Sequence, residues 1–357
     1  MTNTLSRLAC QPRSWAAALL TALVTGAAMA APVYRVIDLG ALYGKGASRA
    51  SALNAKGDTV GDALARKTGA LRPVLFGKGQ PLDLITATGT EAVEGWATAI
   101  NRSGDIAGRL VMRTGGVTRP FIYRQGALEV VDATACACPE LGLSDLGHLL
   151  VNDWGKSDLV SRVRQPDGTW VPLKRWNGSD WTVGLAINRR GNLVVGYARR
   201  DFEFSQAVVW RSNKPEAVPG TEGSTVSHAT AVNDRGDVAG DRSVLWDTYG
   251  GSRAFVVRDG VLTDLTGPNL FSVATGLDNQ GRVVGNVYDL GSTDPSAFLS
   301  QEGQTMVLDD LVQPAQQGLW QIKQATGIND AGEIAARGVS TVTGQTHALK
   351  LVPVAAP

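Results

Sequence analysis

The chain has 357 residues, 43% hydrophobic and 19% charged, with 34 basic against 33 acidic side chains and a formal net charge of +1. That balance excludes a long-range electrostatic pull toward nucleic acid or anionic lipid, and the apolar content excludes a disordered chain. Forty-two glycines exceed the usual share and point to many tight turns.

In chain order, residues 1–30 read as a signal peptide. Arg7 and Arg13 supply a basic start, residues 15–24 an apolar run, and Ala28-Met29-Ala30 a small-x-small cleavage site before Ala31. The run is too short to span a bilayer, and nothing later approaches about 18 consecutive apolar residues. The expectation is a secreted or periplasmic protein with no membrane span. Cys10 lies before the apolar run, against a lipoprotein anchor. Cleavage leaves Cys136 and Cys138, too few for a disulfide scaffold, so the fold must stand on its own core.

Residues 34–40 (YRVIDLG) form a first strand, and a motif then recurs to the end of the chain. It reads small, aliphatic, Asn, two polar residues, Gly, polar. Its copies occupy residues 52–58, 99–105, 142–148, 186–192, 231–237, 276–282 and 327–333, with glycines at 57, 104, 147, 191, 236, 281 and 332. The steps of 47, 43, 44, 45, 45 and 51 residues mark an array of one supersecondary unit. Asn can bond the backbone two residues on, the polar pair makes a type I turn, and Gly takes the left-handed position opening the return strand. A second hairpin follows, as in residues 253–265 around Asp259-Gly260, 296–299 before Gly303, and 119–123 before Gly126.

Four strands per unit predicts an all-β fold, with helices almost absent. The architecture is a seven-bladed β-propeller of four-stranded antiparallel blades, a single domain over residues 31–357. Small residues line each first strand (Ala97 and Ala99, Ala229 and Ala231, Ala274 and Gly276, Ala325 and Gly327), as required where blades converge. The last copy stops after its third strand, residues 347–351, so the N-terminal strand is expected to pair there and close the ring. Copy three departs most, with Ser144 in place of Asn and a poor third strand over residues 159–163.

The assembled unit, Ala-Ile-Asn-x-x-Gly-x-Val-Val-Gly followed by segments such as His347-Ala348-Leu349, Arg253-Ala254-Phe255 and Ser296-Ala297-Phe298, resembles the HAF repeat of bacterial extracellular proteins. The resemblance spans nearly all of the chain after residue 30 and implies an extracellular repeat protein. No catalytic residue is carried over from it.

Local motifs point to no cofactor. Asn233-Asp234-Arg235-Gly236-Asp237 lacks the alternating acids and distal Glu of a calcium loop, and its recurrence suits a turn. His148, His228 and His347 occupy positions filled elsewhere by other residue types, reading as surface or packing substitutions rather than metal ligands. Cys136 and Cys138 are candidates for a strained disulfide in an oxidising compartment.

Both tight turns of a unit fall on one face, so the longer connections share the other. That face carries the candidate ligand-binding residues Asp153, Trp154, Arg199, Arg200, Asp201, Phe202, Phe204, Trp246, Asp247, Tyr249, Tyr288 and Asp289. Aromatics beside charges on loops held by a rigid scaffold suit a glycan, peptide or protein partner. The expected function is an exported binding module, a monomer with no nucleic-acid partner. The alternative is an exported glycan lyase or hydrolase whose carboxylates assemble across blades.

Overall fold

The computed structural model describes residues 31–77, 79–132, 141–154, 159–200, 204–243, 251–267, 270–289 and 294–354, without the side chains of Trp154, Arg200 and Asp289. Strand β1 (Val33–Asp38) leads into copy one, β2 (Ser48–Leu53), β3 (Thr59–Leu64), β4 (Leu71–Phe76) and β5 (Leu82–Asp83). Copy two is β6 (Ala92–Ile100), β7 (Ile106–Met112), β8 (Thr118–Arg124) and β9 (Ala127–Val130). Copy three is β10 (Gly142–Leu143), β11 (Leu149–Trp154), β12 (Leu159–Arg164) and β13 (Trp170–Pro172). Copy four is β14 (Trp181–Ile187), β15 (Leu193–Arg200), β16 (Phe204–Arg211) and β17 (Lys214–Ala217). Copy five is β18 (Ser227–Val232), β19 (Val238–Ser243), β20 (Ser252–Arg258) and β21 (Val261–Asp264). Copy six is β22 (Leu270–Leu277), β23 (Val283–Asp289), β24 (Ser296–Gln301) and β25 (Gln304–Val307), and copy seven is β26 (Trp320–Ile328), β27 (Ile334–Ser340) and β28 (Thr346–Val354).

Each copy is an antiparallel meander in chain order, except that copies three and four join in one eight-stranded sheet. Their junction is a single parallel pair, Val160 with Thr182. Copy seven takes its fourth strand from the start of the chain: β1 pairs antiparallel with β28 from Val33↔Val354 to Asp38↔Leu349. The expected pairing of the two ends is therefore present. Among the described residues, helix is confined to α1 (Leu84–Thr88), capped by the Asp83 carboxylate and stopped by Gly89 at φ +65°, and to short 3₁₀ turns.

The repeated turn follows from local chemistry. The Asn54 Oδ1 accepts from the N–H groups of Lys56 (2.9 Å) and Asp58 (3.0 Å), while Gly57 sits at φ +79°. The Asn54 Nδ2 reaches further and donates to the carbonyl of Asn101 in the next copy at 3.1 Å. Asn101 does the same to Ser144 (3.3 Å), Asn233 to Asp278 (2.9 Å), and Asn329 to the carbonyl of Asn54 (3.0 Å). One residue type thus builds the turn and ties copies together, and the last tie runs from copy seven to copy one.

The core is divided the same way. The described residues bury seven apolar clusters, each between consecutive copies. One joins Ala335 and Ala348 of copy seven to Ala50, Ala63, Val74 and Phe76 of copy one. The third-strand aromatics Phe121, Phe255 and Phe298 are essentially fully buried, each contributing about 1.5–3 kcal/mol.

Copy three differs from expectation. Its third strand is regular, with β12 pairing all six positions of β11, and its short element is β10. Apolar patterning misses β12 because Arg162 stands opposite Val151, where Phe121 stands opposite Gly108 in copy two. The Arg162 guanidinium stacks on Trp170 at 4.3 Å and pairs with Asp153, which replaces the missing aromatic.

Candidate functional site

Each first strand except the two-residue β10 carries a β-bulge one residue before its small-aliphatic-Asn segment. The register shifts between Ala50 and Ala52, Ala97 and Ala99, Gly184 and Ala186, Ala229 and Ala231, Ala274 and Gly276, and Ala325 and Gly327. The extra residues are Ser51, Thr98, Leu185, Thr230, Thr275 and Thr326. A glycine on the second strand makes room for the kink: a Cβ at Gly61, Gly108, Gly196 or Gly240 would fall on the carbonyl oxygen of Arg49, Trp96, Val183 or His228.

These six residues, with Leu141 of copy three, line one cavity of about 470 Å³. Every copy contributes to its wall. Thr230 Oγ1 donates to the Ala274 carbonyl at 2.7 Å and Thr275 Oγ1 to the Ala325 carbonyl at 2.8 Å, so the wall is also tied copy to copy.

Toward the long-connection end, the residue after the second-strand glycine, whose place Val151 takes in copy three and Ala336 in copy seven, forms a second tier: Asp62, Arg109, Asn152, Tyr197, Asp241, Asn286 and Arg337. This column varies while the turn column repeats. Asn152 and Asn286 brace the next copy, their Oδ1 atoms accepting from Gly184 N–H (3.2 Å) and Ala325 N–H (2.8 Å). Asp62 pairs with Arg49 at 2.9 Å, and Arg109 stacks on Trp96 at 4.3 Å. Asp241 lies 3.2 Å from His228 Nδ1, and the Tyr197 ring meets the His228 ring edge-on at 4.7 Å. Arg337 has no ion pair or side-chain hydrogen bond among the described residues, and its Nε is buried without a partner.

A second cavity of about 450 Å³ opens at this end, lined by Arg49, Asp62, Leu64, Leu71, Glu94 and Arg337 among others. Its walls come from copies seven, one and two. Burial raises the Asp62 carboxyl above its ordinary range, although Arg49, Arg337 and Arg109 all act to lower it. Burial, reinforced by the Arg49 charge, pulls the Arg337 guanidinium below its ordinary value.

Those of the predicted residues that the structure describes stand at strand ends on the long-connection side. Asp153 is buried and pairs with Arg162. Arg199 lies over the Trp181 ring at 5.1 Å, Phe204 is exposed at the start of β16, and Tyr288 meets Phe271 edge-on at 5.7 Å. Trp154, Arg200 and Asp289 end β11, β15 and β23. Asp201, Phe202, Trp246, Asp247, Tyr249, Cys136 and Cys138 lie outside the described residues. Tyr288 of the predicted set reaches the first strand of the next copy, accepting from Gln324 Nε2 at 3.5 Å. Reading by local motif misses Trp96, Arg109, Glu94 and Arg337. The signal for the two arginines is their shared place five residues after the turn glycines Gly104 and Gly332, read down the repeats.

The histidines do more than fill space. His347 Nδ1 lies 3.0 Å from both Asp38 carboxylate oxygens, and the His148 Nδ1 lies 2.9 Å from Ser144 Oγ. His228 Nε2 lies 3.2 Å from Ser205 Oγ, linking copy four to the His228–Asp241 pair of copy five. Asp241 also accepts from Ser252 Oγ at 3.0 Å. No helix among the described residues is long and apolar enough to cross a membrane.

No protein-family model matches the chain. No curated protein matches it either. Solved structures do. A prolyl endopeptidase, from a study of two such enzymes and their inter-domain dynamics, aligns at TM-score 0.55 and 11% identity, over 90% of this chain and 50% of that one. The β-propeller domain of the Trilobed protease from Pyrococcus furiosus, described as having an open velcro topology, aligns at 0.54 and 10% identity over 90% and 97%. A puromycin-hydrolyzing peptidase from Mycobacterium tuberculosis aligns at 0.50 and 12% identity over 88% and 52%. The chain spans about half the length of each of those two peptidases. At such identities the likeness concerns fold alone: the chain is an all-β protein of β-propeller type.

Proposed function

We propose that this chain is an exported binding module of the HAF-repeat kind, its residues 31–357 forming one seven-bladed β-propeller closed by β1 on β28. Its ligand, a glycan, peptide or protein, binds at the long-connection end of the channel. The observation that carries the proposal is the contrast between two columns of the repeat. The Asn-turn column stays nearly constant because it holds copies together. The second-tier column changes in charge, size and aromaticity from copy to copy, and two of its members, Asp62 and Arg337, line the cavity at the long-connection end. A rigid frame with varied side chains at one mouth is the arrangement of a recognition surface. Residues 1–30 act as the export signal, cleaved before Ala31, which delivers the protein to the periplasm or outside the cell.

The test is binding of the 31–357 protein to glycan and peptide arrays beside a Trp96→Ala/Tyr288→Ala variant. Retention of a ligand by the parent, reduced at least tenfold in the variant, supports the reading. Equal retention by both, or none by either, overturns it.

A hydrolytic alternative draws on Ser205, His228 and Asp241, which stand in the order nucleophile, base, acid. Two observations favour a structural tie instead. The Ser205 N–H already donates to the Thr225 carbonyl at 3.2 Å, so it is not offered to an oxyanion. Asp241 is shared with Ser252. A serine-directed fluorophosphonate is expected to leave the protein unlabelled, and stoichiometric labelling at Ser205 would restore the enzyme reading.

A further inference from the structure

Arg337 and Glu94 both line the cavity of about 450 Å³ at the channel mouth, one from copy seven and one from copy two. They carry opposite charges, yet neither is in an ion pair among the described residues, where a pair means an approach within 4.0 Å. Arg337 leaves its buried Nε without a partner. The Glu94 carboxylate accepts one hydrogen bond, from Leu71 N–H, stretched to 3.5 Å. Between them sit Arg49 and Asp62, which satisfy each other through Nε and Oδ1 at 3.0 Å. Leu64 and Leu71 add an apolar wall. The volume falls in the range of ligand pockets, about 300–1,000 Å³.

A half-buried guanidinium whose Nε has no acceptor and a carboxylate without a cation, both lining one cavity, are complementary to a ligand bearing both opposite charges. We infer that this cavity binds a small zwitterion of the α-amino-acid class, its carboxylate on Arg337, its ammonium on Glu94, and an aliphatic side chain against Leu64 and Leu71. The inference rests on the reading of the long-connection end as the binding face, and narrows it to one pocket and one chemistry.

The experiment is calorimetric titration of the 31–357 protein with leucine, N-acetylleucine, leucinamide and glucuronate. Leucine is expected to bind, with N-acetylleucine and leucinamide at least tenfold weaker because each lacks one charge, and glucuronate weaker still. Arg337→Gln should abolish leucine binding. Glu94→Gln should instead erase the preference for leucine over N-acetylleucine. Both variants should melt within a few degrees of the parent, and Arg337→Lys, which keeps the charge, should retain part of the affinity. Absence of leucine binding to the folded parent overturns the inference, as does leucine affinity unchanged in Arg337→Gln. Preferential glucuronate binding overturns it in favour of a carboxylate-only site. A ligand selected on the arrays that binds the parent and Arg337→Gln equally would leave the binding-module reading standing while removing this one.

Discussion

Two residue types carry most of the architecture, and each can be tested at a single position. Gly240 is required because a Cβ would fall on the His228 carbonyl oxygen, an atom of the backbone that cannot swing aside. Gly240→Ala should cost about 1–3 kcal/mol or more, the usual range for forced overpacking. Gly327→Ala is the control, since the nearest atom to its Cβ is the Leu53 Cδ2 at 3.6 Å, and it should shift stability by under about 0.5 kcal/mol. Denaturant melts of the two variants read the difference directly. Asn233 bonds its own turn and the next copy, so Asn233→Ala should lose about 1–3 kcal/mol, because the Asp278 carbonyl and turn amides are left without their partner. The turn was legible in the sequence because every determinant of it lies within seven consecutive residues. Arg337 and Glu94 were not, since their lining of one cavity depends on copies seven and two lying either side of copy one. Arg162 shows the same limit on a smaller scale: its compensation by Trp170 and Asp153 crosses strands, and periodicity cannot see it.

Among the elements, β1 has the most specific role, because it completes the sheet of the last copy. Tyr34 and Val36 bury their side chains against that copy, and Asp38 meets His347 at the far end of the pairing. Burial alone would raise the Asp38 carboxyl, but hydrogen bonds from His347 and the Gly40 N–H, with the His347 charge, hold it below the usual carboxylate range. A lowered folded value means the ionised form is favoured by folding. The contribution is therefore present above the unfolded carboxylate value, about pH 3.9, and is lost as pH falls through the lower folded value. Asp38 is 40% exposed, so the effect is screened and local. Hydrogen exchange should show β1 amides losing protection on acidification from pH 5 toward 3 before those of β27, and Asp38→Asn should remove that pH dependence. Simultaneous loss in both strands would contradict the assignment.

For the whole molecule, the repeat accounts for how a near-neutral, glycine-rich chain builds a stable frame with few aromatics. Seven similar contacts, each modest, share the burial, and the constant columns are spent on holding copies together. The varied column differs from copy to copy: Asn152 and Asn286 brace the next copy, while Asp62 and Arg337 line the long-connection cavity. The long-connection cavity takes walls from copies seven, one and two, so the proposed ligand site requires copies seven and one to meet. Closure is the central claim. Its most direct measurement uses Arg35→Cys with Val352→Cys, opposed residues of β1 and β28, in a background where Cys136 and Cys138 are serine. Mild oxidation should give a monomer with one Arg35→Cys to Val352→Cys crosslink, identified by peptide mass, and a melting temperature above that of the reduced form. Failure to crosslink within one chain, or crosslinking only between chains, would contradict the closed ring and the mouth site built on it.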